Sequence, residues 1–202
     1  MGCCCGKSSS NHDTDAVVEM ENVTNEAVLC RIGRKGDRIR VLEDRKRYEV
    51  SGKGTVLGSS ILDCDIGYWE VEVGDNPKGC RVGIKRFNHK KGPVSLDGGL
   101  EAGEKVPSCW ILEPKDLDEE IKKGQVIGIH WDQSDFPMVS FTIDGRLHSK
   151  ASITRVRPTN DLYPAISIDD GSTARIAFHE DAFQRKPWAS KFRMIVSATN
   201  IM

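Results

Sequence analysis

GYWEVEV, residues 67–73, is the stretch that decides the fold. Trp69, Val71 and Val73 alternate with Glu70 and Glu72, the period of a strand with one apolar and one wet face. The same alternation returns further along. Val139, Phe141 and Ile143 sit between Ser140 and Thr142, and Ile166 with Ile168, then Ile176 with Phe178, repeat it. VIGIHW at 126–131 is a continuous apolar run of strand length, expected to be buried on both faces. Turn signals separate these runs. Asp144-Gly145 is the type I′ pair that joins strand 138–143 to a short return through Leu147. GDNPKG at 74–79 leads into a strand near 80–87, and Gly98-Gly99 and Gly103 loosen a longer connection before CWIL at 109–112. Asp170-Gly171 divides the last two strands. Many short strands with frequent turns predict an all-β antiparallel sandwich. The helical signals are few: two turns over 116–123 stopped by Gly124, and a short piece after Trp188.

The chain has 202 residues, enough for one substantial core. Apolar residues make up 38% and charged residues 29%, an ordinary globular composition. Lys and Arg number 29 against 30 Asp and Glu, so no global field draws nucleic acid, and no nucleic-acid partner is expected. No apolar run approaches the ~18 residues that span a bilayer, and MGCCCGKSSSNHD lacks the apolar core of a secretory signal. The expected location is therefore cytoplasmic. Seven cysteines, an odd number with no CxxC pair, fit reduced thiols and no metal site. Cys30, Cys64, Cys80 and Cys109 are expected to be small buried hydrophobes.

GYWEVEV at 67–73, CRVGI at 80–84, GQVIGIHWD at 124–132, VSFTIDGRLH at 139–148 and LYPAISI at 162–168 resemble, in order and spacing, successive blocks of the SPRY domain. The resemblance covers roughly residues 25–180. It implies a bent antiparallel β-sandwich of the concanavalin-like kind, with binding loops at one edge and a shallow, preformed site for a peptide or protein surface. Within the family the chain is most similar to small members with little beyond the domain. SGKGTVLGSSILD at 51–63, the Asp169-Asp170 pair, a short tail after Pro187 and the opening cysteine cluster carry that likeness. Peptide-capturing relatives place an aromatic residue after the LYPAISI block, where this chain has Asp169-Asp170-Gly171, so their peptide preference does not carry over.

The expected organisation is a flexible arm over 1–15, the sandwich over 16–186, and a tail over 187–202 packed on the domain. Gly2 behind Met1 is a candidate for myristoylation, although Gly6 stands at the sixth position where the pattern has Ser or Thr. Cys3, Cys4 and Cys5 beside it suit palmitoylation. One myristoyl chain gives only marginal binding, so a second acyl group is what turns visiting into residence. Arg31, Arg34, Lys35, Arg38, Arg40, Arg45, Lys46 and Arg47 outnumber their acidic neighbours. They read first as a solvated strand face and second as a membrane-facing patch.

The reading is of a protein that binds and does not catalyse, with no cofactor. Gly6-Lys7-Ser8 has no preceding strand and a misplaced leading glycine for a phosphate loop, and Gly52-Lys53-Gly54 misses the dinucleotide spacing. No nucleophile elbow or metal-hydrolase pattern accompanies His12, His89, His130, His148 or His179. His130 is expected in the core and His148 exposed. Trp69, Trp110, Trp131 and Trp188 read as packing residues. The candidate partner-binding loops hold Asp169, Asp170 and Gly171, with Asn76, Lys78 and Asn88 expected at the same edge. Two carboxylates there favour a basic partner or backbone N–H groups. The leading function is a membrane-tethered adaptor. A soluble scaffold subunit and a small-molecule or carbohydrate-binding sandwich are the alternatives.

Overall fold

The computed structural model describes residues 30–88, 95–101, 108–133 and 136–185. The described strands form two antiparallel sheets. In the five-stranded sheet the order is β1 (Ile32–Lys35), β4 (Gly54–Gly58), β12 (Leu162–Ile168), β6 (Cys80–Arg86) and β7 (Cys109–Ile111). In the eight-stranded sheet it is β10 (Arg146–Leu147), β9 (Met138–Ile143), β8 (Val126–Asp132), β5 (Ile66–Val73), β13 (Thr173–Ala177), β3 (Arg47–Gly52) and β2 (Ile39–Asp44), with β11 (Ile153–Thr154) paired to β9. The sandwich predicted from the alternating runs is the fold observed.

The core lies between the sheets. Trp69, Val71, Ile127, Ile129, Trp131 and Phe141 face Val56, Val82, Ile84, Ile166 and Ile168 across it. Each such side chain contributes roughly 1.5–3 kcal/mol by leaving water. A second cluster of Leu57, Phe87, Leu96, Leu100, Ile111, Tyr163 and Ala165 covers the other face of the five-stranded sheet. Residues 95–100 close over it, with the Leu100 N–H donated to Ser167 Oγ at 3.0 Å. Cys30, Cys80 and Cys109 are buried free thiols, as expected, and Cys64 is half-buried. Burial raises the Cys80 pKa to about 12, which leaves it a poor nucleophile at neutral pH.

Two expectations fail. Glu70, Ser140 and Thr142, expected on the wet face of their strands, are only 2%, 6% and 2% exposed. The residues after β13 turn back across that face. Glu70 accepts the backbone N–H of Gln184 at 2.6 Å and of Arg185 at 2.9 Å, and also the Tyr68 hydroxyl at 2.8 Å. The Phe183 ring stands edge-on to Tyr68 at 4.8 Å, and Tyr68 in turn lies 4.5 Å from His130. Gly128, opposite Glu70 in the β5–β8 ladder, is required here, since a Cβ would stand 2.5 Å from the Tyr68 hydroxyl oxygen.

The helix expected over 116–123 is also absent. A 3-10 turn at Pro114–Asp116 is followed by irregular chain. Leu117 and Ile121, which fall in that stretch, pack on the edge of the core instead. An isolated two-turn helix is marginal in water, so tertiary packing decides. Gly124 takes the expected left-handed backbone (φ 85), but it closes a turn whose N–H bonds to Val73 O at 2.7 Å. Among the described residues no helix is long and apolar enough to cross a membrane.

Candidate functional site

Strand register brings two of the expected loops together at one end of the sandwich. Ile168 of β12 faces Cys80 of β6, and Ala174 of β13 faces Val73 of β5. The β12–β13 turn and the β5–β6 loop therefore leave the sheets side by side. The turn is tight: Asp169 O accepts the Ser172 N–H at 2.9 Å, with Gly171 at φ 78, the position a type II turn reserves for glycine.

Hydrogen bonds then fasten one loop to the other. Asp169 N–H donates to Gly79 O at 2.9 Å, Thr173 N–H to Asp75 O at 3.1 Å, and the buried Ser172 hydroxyl to Asn76 O at 3.1 Å. Gly79 admits this approach, because a Cβ would lie 2.2 Å from Ser172 Oγ. Asn76 itself takes a left-handed backbone (φ 45) ahead of the 3-10 turn at Pro77–Gly79. The result is a rim whose backbone is fixed before any partner arrives, which lowers the ordering cost of binding.

The rim's charges are compensated. Asp169 lies 3.6 Å from Arg81, Asp170 3.8 Å from Lys53, Lys78 3.1 Å from Glu120 and Asp75 2.5 Å from Lys123. These are surface pairs in water, each worth at most about 1 kcal/mol, so a partner can replace them. The two carboxylates expected to seek a basic partner thus already face cations of this chain. Arg81 and Lys53 were not among the sequence candidates. Arg81 lies within the strand expected near 80–87, and Lys53 lies in the Gly52-Lys53-Gly54 motif, which misses the dinucleotide spacing.

Asn88 does not join them. Leu162 faces Arg86 at the opposite end of β6, so Asn88 lies a strand length away from the rim, beside Asp161, whose carbonyl accepts the Phe87 N–H at 2.7 Å. Its expected place at the same edge came from treating every loop after a strand as equivalent. In an antiparallel sheet successive loops alternate ends. The acylation candidates Gly2, Cys3, Cys4 and Cys5, the arm over 1–15 and the tail over 187–202 lie outside the described residues.

A hollow of about 460 Å³ opens next to the rim. Leu112, Leu117 and Ile121 supply its apolar surface, and Lys78, Arg81 and Glu120 ring it. Leu117 and Ile121 fall in the stretch expected to be helical, 116–123. Of the other groups with chemical potential, His130 is buried in β8 as expected, and burial lowers its pKa to about 4, so it is neutral at physiological pH. His148 is half-buried where exposure was expected. Trp69 and Trp131 are core residues, Trp110 is half-buried under the Arg86 guanidinium at 5.3 Å, and Trp188 is outside the described residues. Among the described residues no group of three or more His, Cys, Asp or Glu is arranged to hold a metal ion.

The fold is a two-sheet antiparallel sandwich, and sequence gives it its family. The SPRY domain family matches residues 66–181, and the chain belongs to that family. SPRY domains are typically protein-interaction modules. No curated protein matches the chain in sequence. In fold it is similar to a crystal structure of a human SPRY domain, with a TM-score of 0.50 and 18% identity over 68% of this chain and 94% of that one. It is also similar to the crystal structure of the TRIM65 PSpry domain, with a TM-score of 0.51 and 12% identity over 76% of this chain and 90% of that one.

Proposed function

We propose that this protein is a non-catalytic adaptor, held at the cytosolic face of a membrane by acylation of Gly2 and of one or more of Cys3, Cys4 and Cys5, which captures a protein partner at the loop rim. The observation that carries the binding half is the pairing of a hydrogen-bonded rim with an adjacent apolar hollow. Partners of rigid surfaces gain most from an apolar side chain seated in a desolvated pocket, with polar contacts around it setting register. Leu112, Leu117 and Ile121 offer that seat, and Asp169, Asp170, Asn76 and Lys78 offer the polar surround. A basic group on the partner would take over Asp169 or Asp170 from Arg81 or Lys53. The tether half rests on the sequence of residues 2–5 and on the two-acyl requirement for stable residence. The sandwich over 16–186 then acts between an acylated arm over 1–15 and a tail over 187–202.

The test fractionates cells expressing wild type, Gly2→Ala, a Cys3/Cys4/Cys5→Ser triple variant and Leu117→Asp, with proximity labelling of each. The expected outcome is wild type and Leu117→Asp in the membrane fraction, both acylation variants soluble, and a labelled partner lost only from Leu117→Asp. Wild type in the soluble fraction refutes the tether. An unchanged set of labelled partners for Leu117→Asp refutes the hollow.

A further inference from the structure

In the basic stretch noted in the sequence, Lys46 and Arg47 lie 2.6 and 3.9 Å from Asp181 and Glu72, but the first five cations, from Arg31 to Arg40, are in no ion pair among the described residues. β1 is an edge strand of the five-stranded sheet and β2 an edge strand of the eight-stranded sheet. Only Gly36–Arg38 separate them, a turn closed by the Ile39 N–H on Gly36 O at 3.1 Å. Both edges therefore lie on one side of the sandwich. Arg31, Arg34, Lys35, Arg38 and Arg40 are all exposed along that side. The Lys35 ammonium donates to Ile39 O at 2.8 Å and the Arg34 guanidinium lies 5.1 Å from the Phe87 ring centre, and neither is in an ion pair among the described residues. Every other cluster of cations described above faces carboxylates. Leu42, on the same edge strand as Arg40, is 68% exposed, one of two large apolar side chains so placed among the described residues.

The described residues begin at this edge. Cys30 packs against Gly58, which pairs with Ile32 of β1, and residues 1–29 with the acylation candidates precede it.

We propose that the β1–β2 edge docks on an anionic membrane surface, with Arg31, Arg34, Lys35, Arg38 and Arg40 toward the lipid headgroups and Leu42 in the interface. This rests on the membrane-tethered reading and gives it an orientation. The arm confines the protein near the leaflet, and the edge fixes which side faces it. Arg34 and Lys35 share a shallow hollow with Asp37 and Asp97, but Arg31, Arg38 and Arg40 lie outside it, so the charges extend along two strands and the turn between them, which suits a charged surface.

The test uses the full chain without acyl groups, so that it is independent of the tether. Co-sedimentation is measured with phosphatidylcholine vesicles containing or lacking phosphatidylserine, at low and physiological salt. Wild type is expected to bind only the phosphatidylserine vesicles and to weaken with salt. Each Lys or Arg at a leaflet changes partitioning roughly fivefold, so Arg31→Glu/Arg38→Glu/Arg40→Glu is expected to lose on the order of a hundredfold or more. The milder Arg→Gln versions should lose less, and Lys115→Glu/Lys122→Glu/Lys150→Glu, the same net change elsewhere, should keep most binding. No binding by wild type, or equal losses in the two triple variants, overturns the proposal. So does binding that appears only after Asp13, Asp15, Glu19, Glu21 and Glu26 are neutralised, because the edge would then belong to the chain's own acidic segment. Failure here with intact membrane fractionation in cells condemns the edge and spares the tether.

Discussion

The outer face of the eight-stranded sheet is two surfaces under one sequence pattern. Over β2, β3 and β13 it is a wet ladder in which Arg175 lies 3.2 Å from Glu49 and 3.7 Å from Glu72, all at least partly exposed. Over β5, β8 and β9 it is dry, with Tyr68, Glu70, His130, Ser140 and Thr142 beneath Phe183, Gln184 and Arg185. Glu70 and Glu72 are two residues apart on the same strand and the same face, yet one is buried and the other is not. The difference comes from a segment more than a hundred residues later that crosses one half and leaves the other. Arg47 of β3 takes part at the boundary, donating through Nε and Nη2 to Ala182 O at 3.0 and 2.7 Å.

If the dry half depends on this crossing, Glu70 is where the comparison breaks most easily. Its carboxylate accepts from two successive backbone N–H groups and a phenol, and both amides would be left without it. Removing one side of a buried, charge-assisted cluster costs about 3–5 kcal/mol. Glu70→Ala is therefore expected to lose about 3–4 kcal/mol in urea unfolding, and Glu70→Gln about half as much because one acceptor survives. A loss below about 1 kcal/mol for Glu70→Ala would mean that the crossing segment is dispensable.

His130 tests the dryness itself. Burial pushes its pKa down to about 4, whereas an unfolded chain has about 6.5. As pH falls, the unfolded state takes up the proton first. Stability is thus full above about 6.5 and declines between about 6.5 and about 4, by up to about 3 kcal/mol. Tyr68, the ring against it, is raised by burial and stays neutral throughout, so it does not offset the effect. Unfolding midpoints of wild type and His130→Gln, compared from pH 7.5 to 4, should converge by that amount at the acid end. Parallel profiles would show that water reaches the site.

Phe183→Ala removes the lid but leaves the carboxylate clamp. Phe183 is half-buried, so the expected cost is about 2 kcal/mol, below that of a fully buried Phe, and includes about 1 kcal/mol from its edge-on contact with Tyr68. In this variant the acid slope of His130 should flatten as water enters. A stability loss with an unchanged slope would assign Phe183 to packing alone.

Period two was enough to place β5, β9, β12 and β13, because alternation is imposed by the strand's own geometry, and a continuous apolar run placed β8. It was not enough to say which outward face stays wet, since Glu70 and Glu72 look alike until the crossing segment is in place. The β2–β3 hairpin was also hidden. Its turn puts Arg45 at φ 45 and Lys46 at φ 72, the left-handed pair that normally signals Asn-Gly, here carried by two long side chains. Asp144 and Gly145, at φ 51 and 83, announced their turn by residue type. At the rim, the Asp169-Gly171 turn and the Asn76/Lys78 loop were legible from glycine and proline chemistry. Their partners Arg81 and Lys53 come from other strands, and only register brings them there. The hollow was missed for the same reason: Leu117 and Ile121 have a helical spacing that the edge of the core overrides.

The wet half sets the lower end of the scale. Arg175 bridges Glu49 and Glu72, with its side chain 55% exposed and that of Glu49 43% exposed. Water already solvates both charges well, and holding two long side chains in one geometry costs rotamer freedom. Arg175→Ala is therefore expected to cost only a few tenths of a kcal/mol, and added salt should remove most of that. The measurement is the difference in urea midpoint between wild type and variant at low and high salt. The reason to make it is Glu72, which also approaches Arg47 at 3.9 Å and accepts from the Gln184 side chain amide, so it belongs to both halves. If Arg175→Ala costs more than about 1 kcal/mol and resists salt, the ladder is coupled through Glu72 to the dry cluster. The boundary between the two surfaces would then lie one strand further out than burial alone places it.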